Sequence, residues 1–237
     1  MERYSRQIIL AEIGLIGQEK LAAAKVLVVG AGGLGCPVLQ YLVAAGVGKI
    51  GIADGDVVSA SNFNRQILYS SEDIGKAKVD CVKARLNAQN PEVEIAGYNT
   101  FLSEKNAREI IAQYDIVVDG TDQIPVRYLL NDVCVELGKP MVYGAIHKFE
   151  GQVSVFNFQG GPTYRDLFPE QSAAGSIPSC AENGVLGVLP GMIGLVQATE
   201  VLKMIAGFGE VLSGKLWLFN AKTMQSESIE FEPQHKN

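Results

Sequence analysis

Histidine is nearly missing from this sequence: only His147 and His235 occur among 237 residues. Neither sits in a persuasive motif, which leaves a hydride-transferring oxidoreductase without an evident general acid. Cysteine is scarce as well. Cys36, Cys81, Cys134 and Cys180 are widely spaced, with no CxxC pair, so reduced thiols are expected rather than a disulfide framework or a zinc knuckle. No apolar run is long enough to span a bilayer, and the charged N-terminus does not read as a signal peptide. A cytoplasmic protein with no membrane partner is expected. Basic charge is also in deficit: the formal net charge of −6 argues against nucleic acid as a partner. Internal repeats and low-complexity tracts are absent.

What is present is a large core. Hydrophobic residues make up 47% and charged ones 19%, enough for one sizeable α/β domain. Residues 1–237 read as that single domain: a helical arm over 1–20, a core over 21–145, and an antiparallel and loop region over 146–237. The core begins with Val26 to Gly35, VLVVGAGGLG. A buried strand runs into Gly30, Gly32, Gly33 and Gly35, and helix-forming residues follow through Ala45. Glycines there let the backbone approach a phosphate, and the helix N-terminus favours negative charge. The competing use of such glycines is tight strand–helix packing. A second strand, Ile50 to Ala53, ends in Asp54, where an acid can bond ribose hydroxyls. An adenine-nucleotide site is expected.

The arm carries an apolar stripe of Ile8, Ile9, Ile13 and Ile16, with Arg3 and Arg6 one turn apart as solvated helix charge. The long connection from Gly55 to Gly75 carries Ser61, Asn62, Asn64 and Arg65 directly after the ribose acid, and long structured loops are usually functional. A helix from about Lys76 to Asn90 follows. Lys78, near its start, opposes the dipole and invites a phosphate contact. A strand over Val93 to Tyr98 and a helix from Ser103 to Gln113 come next. The strand Asp115 to Asp119 ends in Gly120-Thr121-Asp122-Gln123, placing Asp122 on the same sheet edge as the glycine turn. That acid can hold Mg²⁺ against phosphates or cap the helix over Val126 to Leu137. After a strand from Met141 to Ala145 the pattern turns antiparallel at Gly151 to Phe156. Gly160 to Pro178 reads as a loop, Val185 to Ala206 as an apolar helix broken near Pro190-Gly191, and the last two strands as a hairpin. The fold expected is a Rossmann-like, mostly parallel doubly wound α/β sheet with an antiparallel C-terminal extension.

Arg6, GAGGLG, Asp54, SxSNxxRQ from Ser59 to Gln66, Gly75-Lys76-Ala77-Lys78 and TDQxxxR from Thr121 to Arg127 occur in this order. Together they resemble the MoeB/ThiF family, bacterial relatives of ubiquitin-activating enzymes. The resemblance covers nearly the whole chain, including Pro178-Ser179-Cys180-Ala181-Glu182. It implies an adenylyltransferase that uses ATP and Mg²⁺ to activate the C-terminal Gly-Gly carboxylate of a small ubiquitin-like sulfur carrier. Such a step serves thiamine or molybdopterin synthesis. It further implies that Gly33 packs the nucleotide, Asp54 holds the ribose, and Ser61, Asn62 and Asn64 line the pocket. Lys78 and Arg65 neutralise phosphates, with Arg65 contributed by the other subunit of a homodimer. Asp122 positions Mg²⁺, Arg6 assists at the phosphates, residues 146–237 receive the carrier, and a sulfur donor such as a cysteine desulfurase follows. An NAD-dependent oxidoreductase, a binding protein without turnover and an ATP-dependent tRNA-modifying dehydratase are the rival readings.

Three departures qualify the resemblance. Many relatives hold a structural zinc with two CxxC pairs; here Thr163-Tyr164-Arg165-Asp166 stands at one of them and no cysteine follows Cys180, so no structural zinc is expected. The family's Asp-Asn reads Asp122-Gln123, which lengthens a pocket contact. A sulfurtransferase domain like that of longer relatives is not expected, so any persulfide is expected to come from elsewhere. Cys180 matches a cysteine that in some relatives links covalently to the carrier, and a half-buried structural thiol is the alternative.

Overall fold

The computed structural model describes residues 2–169 and 184–233. One eight-stranded sheet has the order β3-β2-β1-β4-β5-β6-β7-β8. Its parallel part comprises β1 (Lys25–Val29), β2 (Lys49–Ala53), β3 (Glu94–Tyr98), β4 (Ile116–Asp119) and β5 (Met141–His147). β6 (Glu150–Phe156), β7 (Lys215–Asn220) and β8 (Gln225–Glu230) continue it antiparallel. The mostly parallel doubly wound sheet with an antiparallel extension is therefore present.

Helices cover both faces because β1, β2 and β4 are apolar except for Lys25, Lys49 and Asp119 at their ends, with nearly every residue buried. α3 (Gly35–Ala45), α4 (Lys78–Gln89) and α8 (Leu189–Ala206) supply one apolar layer; α5 (Ala107–Ile111) and α6 (Ile124–Glu136) supply the other. By length and apolarity α8 matches a membrane span, yet Ile193, Ala198 and Val201 are buried in this core. Pro190 stands in the first turn of α8, where its missing N–H costs nothing, so it starts the helix rather than breaking it. The chain leaves β1 for β2 and β3 on one side and returns to β4 and β5 on the other. The crevice at the carboxyl ends of β1 and β4 is where open α/β sheets bind ligands.

The arm differs from a continuous helix. α1 (Ser5–Ile8) and α2 (Gly14–Ala23) are separate, and Gly14 at the join has φ +58°. The isoleucine stripe is split: Ile8 and Ile13 are half-buried, while Ile9 is 74% and Ile16 71% exposed. The arm packs at the end of the sheet opposite the crevice. Gln7 donates to Ala45 O at the end of α3, Arg3 to Gln89 O at the end of α4, and Asn90 to Tyr4 Oη. The expected loop after β6 contains α7 (Tyr164–Leu167), whose start is closed by Thr163 N–H and Oγ1 donating to Asp166 Oδ2 at 2.7 and 2.8 Å.

Candidate functional site

The turn after β1 is shaped by contacts that exclude side chains. Gly30 has φ +93°, and a Cβ on it would stand 2.7 Å from Gly120 O in the turn after β4. On Gly35 a Cβ would come within 1.8 Å of Gly30 O. These two glycines join strands to helix, the packing use of the motif. Gly32 and Gly33 border a cleft of about 1330 Å³ that runs along the carboxyl ends of the strands. Backbone N–H groups there, at the start of α3, suit an anion.

Asp54 follows β2 directly. Its Oδ2 accepts the Ala31 N–H at 2.7 Å and its Oδ1 the Asp56 N–H at 2.8 Å, so the acid is locked against the glycine turn. Lys78 is the first residue of α4 and its side chain is 6% exposed. Its ammonium donates to Asp56 Oδ2 at 2.9 Å. That ion pair offsets the unfavourable helix-end position and keeps the cation at the cleft wall.

Arg65 lines the cleft of its own chain. The loop carrying it folds back over the glycine turn, leaving Arg65 Cγ 3.5 Å from where a Gly33 Cβ would stand. The expectation that Arg65 acts across a two-fold concerns a second copy; within its own chain Arg65 stands at the cleft wall. Arg65 Nη1 donates to Ser61 O at 2.9 Å and Asn64 Oδ1 at 3.0 Å. Ser61 and Asn64 therefore orient the arginine and do not form the cleft wall, which Asn62 does. Arg6 lies with the arm at the other end of α3, an 11-residue helix about 16 Å long at 1.5 Å per residue. The chain does not bring Arg6 to its own cleft. Cys180 lies outside the described residues. Cys36 and Cys134 are buried, and burial pushes each thiol up to about 12, which removes them as nucleophiles near neutral pH.

Asp122 and Gln123 also line the cleft. Asp122 is exposed, and the N-cap of α6 is Gln123 with no side-chain cap bond, so Asp122 is not spent on capping. Behind them Asp119 is 0% exposed. Its Oδ1 accepts Thr121 N–H at 2.9 Å and Thr121 Oγ1–H at 2.7 Å, and its Oδ2 faces Arg127 Nε at 3.2 Å. Burial pushes the Asp119 carboxyl above the usual carboxylate range, and Arg127 and Thr121 pull against that. The Arg127 guanidinium lies 5.2 Å from the centre of the Tyr143 ring, and the Tyr143 hydroxyl accepts from Gln152 at 2.6 Å. Beyond Arg127 the cleft continues over the antiparallel strands, past His147, Gln152, Phe168 and Phe219.

The cleft thus holds a ribose-height acid, two cations, anion-binding amides and an exposed carboxylate on one sheet edge. Residues 4–237 match the ThiF family. The chain belongs to that family. It is 51% identical over 226 residues to a sulfur carrier protein adenylyltransferase of Thermus thermophilus, covering 93% of this chain and 83% of that protein. It is 47% identical over 232 residues to the adenylyltransferase and sulfurtransferase MOCS3 of Aedes aegypti, covering 98% of this chain and 53% of the relative. It thus spans about half of that longer protein. In fold it is similar to E. coli MccB solved with ATP, with a TM-score of 0.86, 21% identity, and coverage of 98% of this chain and 72% of MccB.

Sequence reasoning passed over Asp56, Asp119 and the role of Arg127. An acid closing the otherwise apolar strand Ile116–Asp119, with an arginine eight positions on, was the available signal. Asp56 gave none, since its partner is 22 residues away.

Proposed function

We propose that this ThiF-family protein adenylates the C-terminal Gly-Gly carboxylate of a small ubiquitin-like sulfur carrier. One carboxylate oxygen attacks the α-phosphorus of ATP, the bond to the bridging oxygen breaks, and pyrophosphate leaves. The product is an acyl-adenylate. A sulfur donor such as a cysteine desulfurase then provides the sulfur that displaces AMP. The observation that carries this reading is the single cleft that joins the nucleotide residues Asp54, Arg65 and Lys78 to an extension over β5–β8. A carrier tail lying in that extension would lead its carboxylate toward the nucleotide end of the same cleft.

Two anions must meet, so the protein's work is neutralisation and positioning. Asp54 holds the ribose, the glycine-turn amides and Lys78 hold phosphate oxygens, and Arg65 takes charge developing at the α-phosphate. Mg²⁺ bound with the nucleotide would be held by Asp122, an exposed carboxylate of the kind this hard cation prefers alongside phosphate oxygens. Arg6, if it acts at phosphates, must do so at the cleft of a second copy, and the exposed Ile9, Leu10, Leu15 and Ile16 beside it supply an apolar surface for a homodimer. We place the reaction in the cytoplasm and the fold without structural zinc.

The test is ATP–pyrophosphate exchange with carriers ending in Gly-Gly. Exchange that needs both Mg²⁺ and a carrier supports the reading. Tight NADH binding with no exchange for any carrier overturns it. Cys180 is decided in the same assay: if it forms the covalent link, Cys180→Ala keeps exchange and blocks sulfur transfer, and if both steps survive the thiol is structural.

A further inference from the structure

Asp119 and Arg127 form an ion pair at the base of the cleft, with side chains 0% and 11% exposed. Taking two charges out of water is costly, and an apolar pair of similar volume is often as stable. Stability alone does not account for the pair, but its geometry does. The N–H and hydroxyl of Thr121 both donate to Asp119 Oδ1, and the carbonyl of Thr121 accepts from Arg127 Nη2 at 2.9 Å. Every polar group of Thr121 is thus bound to one or other member. The segment is pinned from behind as well: Gly120 N–H donates to Val29 O at 2.8 Å, and Gln197 Nε2 donates to Asp119 O at 2.7 Å. The next residue is Asp122, which lines the cleft.

We propose that Arg127 is a positioning residue: with Asp119 it clamps Thr121 so that the Asp122 carboxylate stands at a fixed height for the cation carried by the nucleotide. This rests on the reading of Asp122 as the metal-holding acid. A guanidinium is needed because its charge spreads over a plane wide enough to face the Asp119 carboxylate with Nε while Nη2 donates to the Thr121 carbonyl, which a lysine point charge does not do. The Tyr143 ring below holds the plane of that fork.

Nucleotide affinity of the full chain, measured by calorimetry with ATP alone and with ATP plus Mg²⁺, tests the clamp in wild type, Arg127→Lys and Thr121→Val. Thr121→Val deletes one donor while leaving the ion pair and the fold in place. Metal-free ATP affinity should stay within about twofold in all three, because the glycine turn, Asp54 and Lys78 are untouched. The gain in affinity on adding Mg²⁺ should fall about tenfold in Arg127→Lys and severalfold in Thr121→Val, the size expected when a residue behind a metal ligand is lost. A purely structural role would lower the melting temperature and leave the Mg²⁺ gain of the folded protein unchanged, and that result overturns the proposal. Equal loss of affinity with and without Mg²⁺ overturns it too. If the wild type shows no exchange with any carrier, the adenylation reading fails, and the calorimetric comparison still decides the clamp.

Discussion

Lys78 is the residue where local sequence logic and chemistry agree most closely. A lysine in the first turn of a helix is out of place electrostatically, and the structure shows its ammonium turned to Asp56 at the cleft wall. Lys78→Met should fold and lower the kcat/KM of pyrophosphate exchange by about 10²–10³, the usual loss for one preorganised charge at a transition state. Asp73 offers a stability counterpart. Its carboxylate accepts from Ser70 and Arg85, and the Ser70 backbone bond, with Arg85 helping, holds it down to about 2. A depressed carboxyl stabilises the fold above its unfolded value and loses that contribution as pH falls through the folded one. Asp73→Asn should therefore cost about 1 kcal/mol at pH 7, after allowing for screening. The gap to wild type should close as acid unfolding is followed from about pH 4 toward pH 2. Asp54, Lys78 and the glycines were legible because each breaks a local rule or follows a strand at fixed spacing. Asp119 with Arg127, and Asp56 with Lys78, were not legible as pairs, because a partner chosen by the turn of a sheet leaves no periodic trace.

At the scale of elements, apolar runs identified the strands of the parallel sheet, and their alternation identified the antiparallel turn at β6. Short elements escaped. α7 has four residues, too few for any helical period to register, and it stands where many relatives are expected to bind zinc. Its ties are of another kind: Thr163 and Asp166 close its start, Arg165 forms two bonds to Asp132 at 2.6 and 2.7 Å, and Tyr164 packs among Tyr128, Tyr143, Phe156 and Phe168. Protein prepared without chelator should carry less than one equivalent of zinc by elemental analysis, and a stoichiometric ion would refute the proposed zinc-free fold. β5 makes a second point. A Cβ on Gly144 would stand 2.4 Å from the Gln197 amide carbon, and that amide pins the Asp119 carbonyl. Gly144→Ala should destabilise the fold by about 1–3 kcal/mol through overpacking, read from chemical denaturation.

At the scale of the molecule, the proposed dimer has Arg65 serve its own cleft and Arg6 the cleft of the neighbouring copy. Arg65 crosses its own glycine turn, whereas Arg6 sits with the arm at the far end of α3. In the proposed two-fold dimer, Arg6→Ala and Asp122→Ala homodimers should each be nearly inactive. Mixing them with subunit exchange makes half the dimers mixed, with one complete site in two, so activity should return to roughly a quarter of wild type. Arg65→Ala mixed with Asp122→Ala should return nothing, because every site lacks one residue. Recovery in the second mixture, or none in the first, would reverse the assignment. The distance of the arm from its own cleft has one more consequence. A site that borrows an arginine exists only while two chains are together, so turnover per chain should drop on dilution below the dissociation constant of the pair. Adding back the inactive Asp122→Ala chain should restore it, since a dead neighbour still lends its arm.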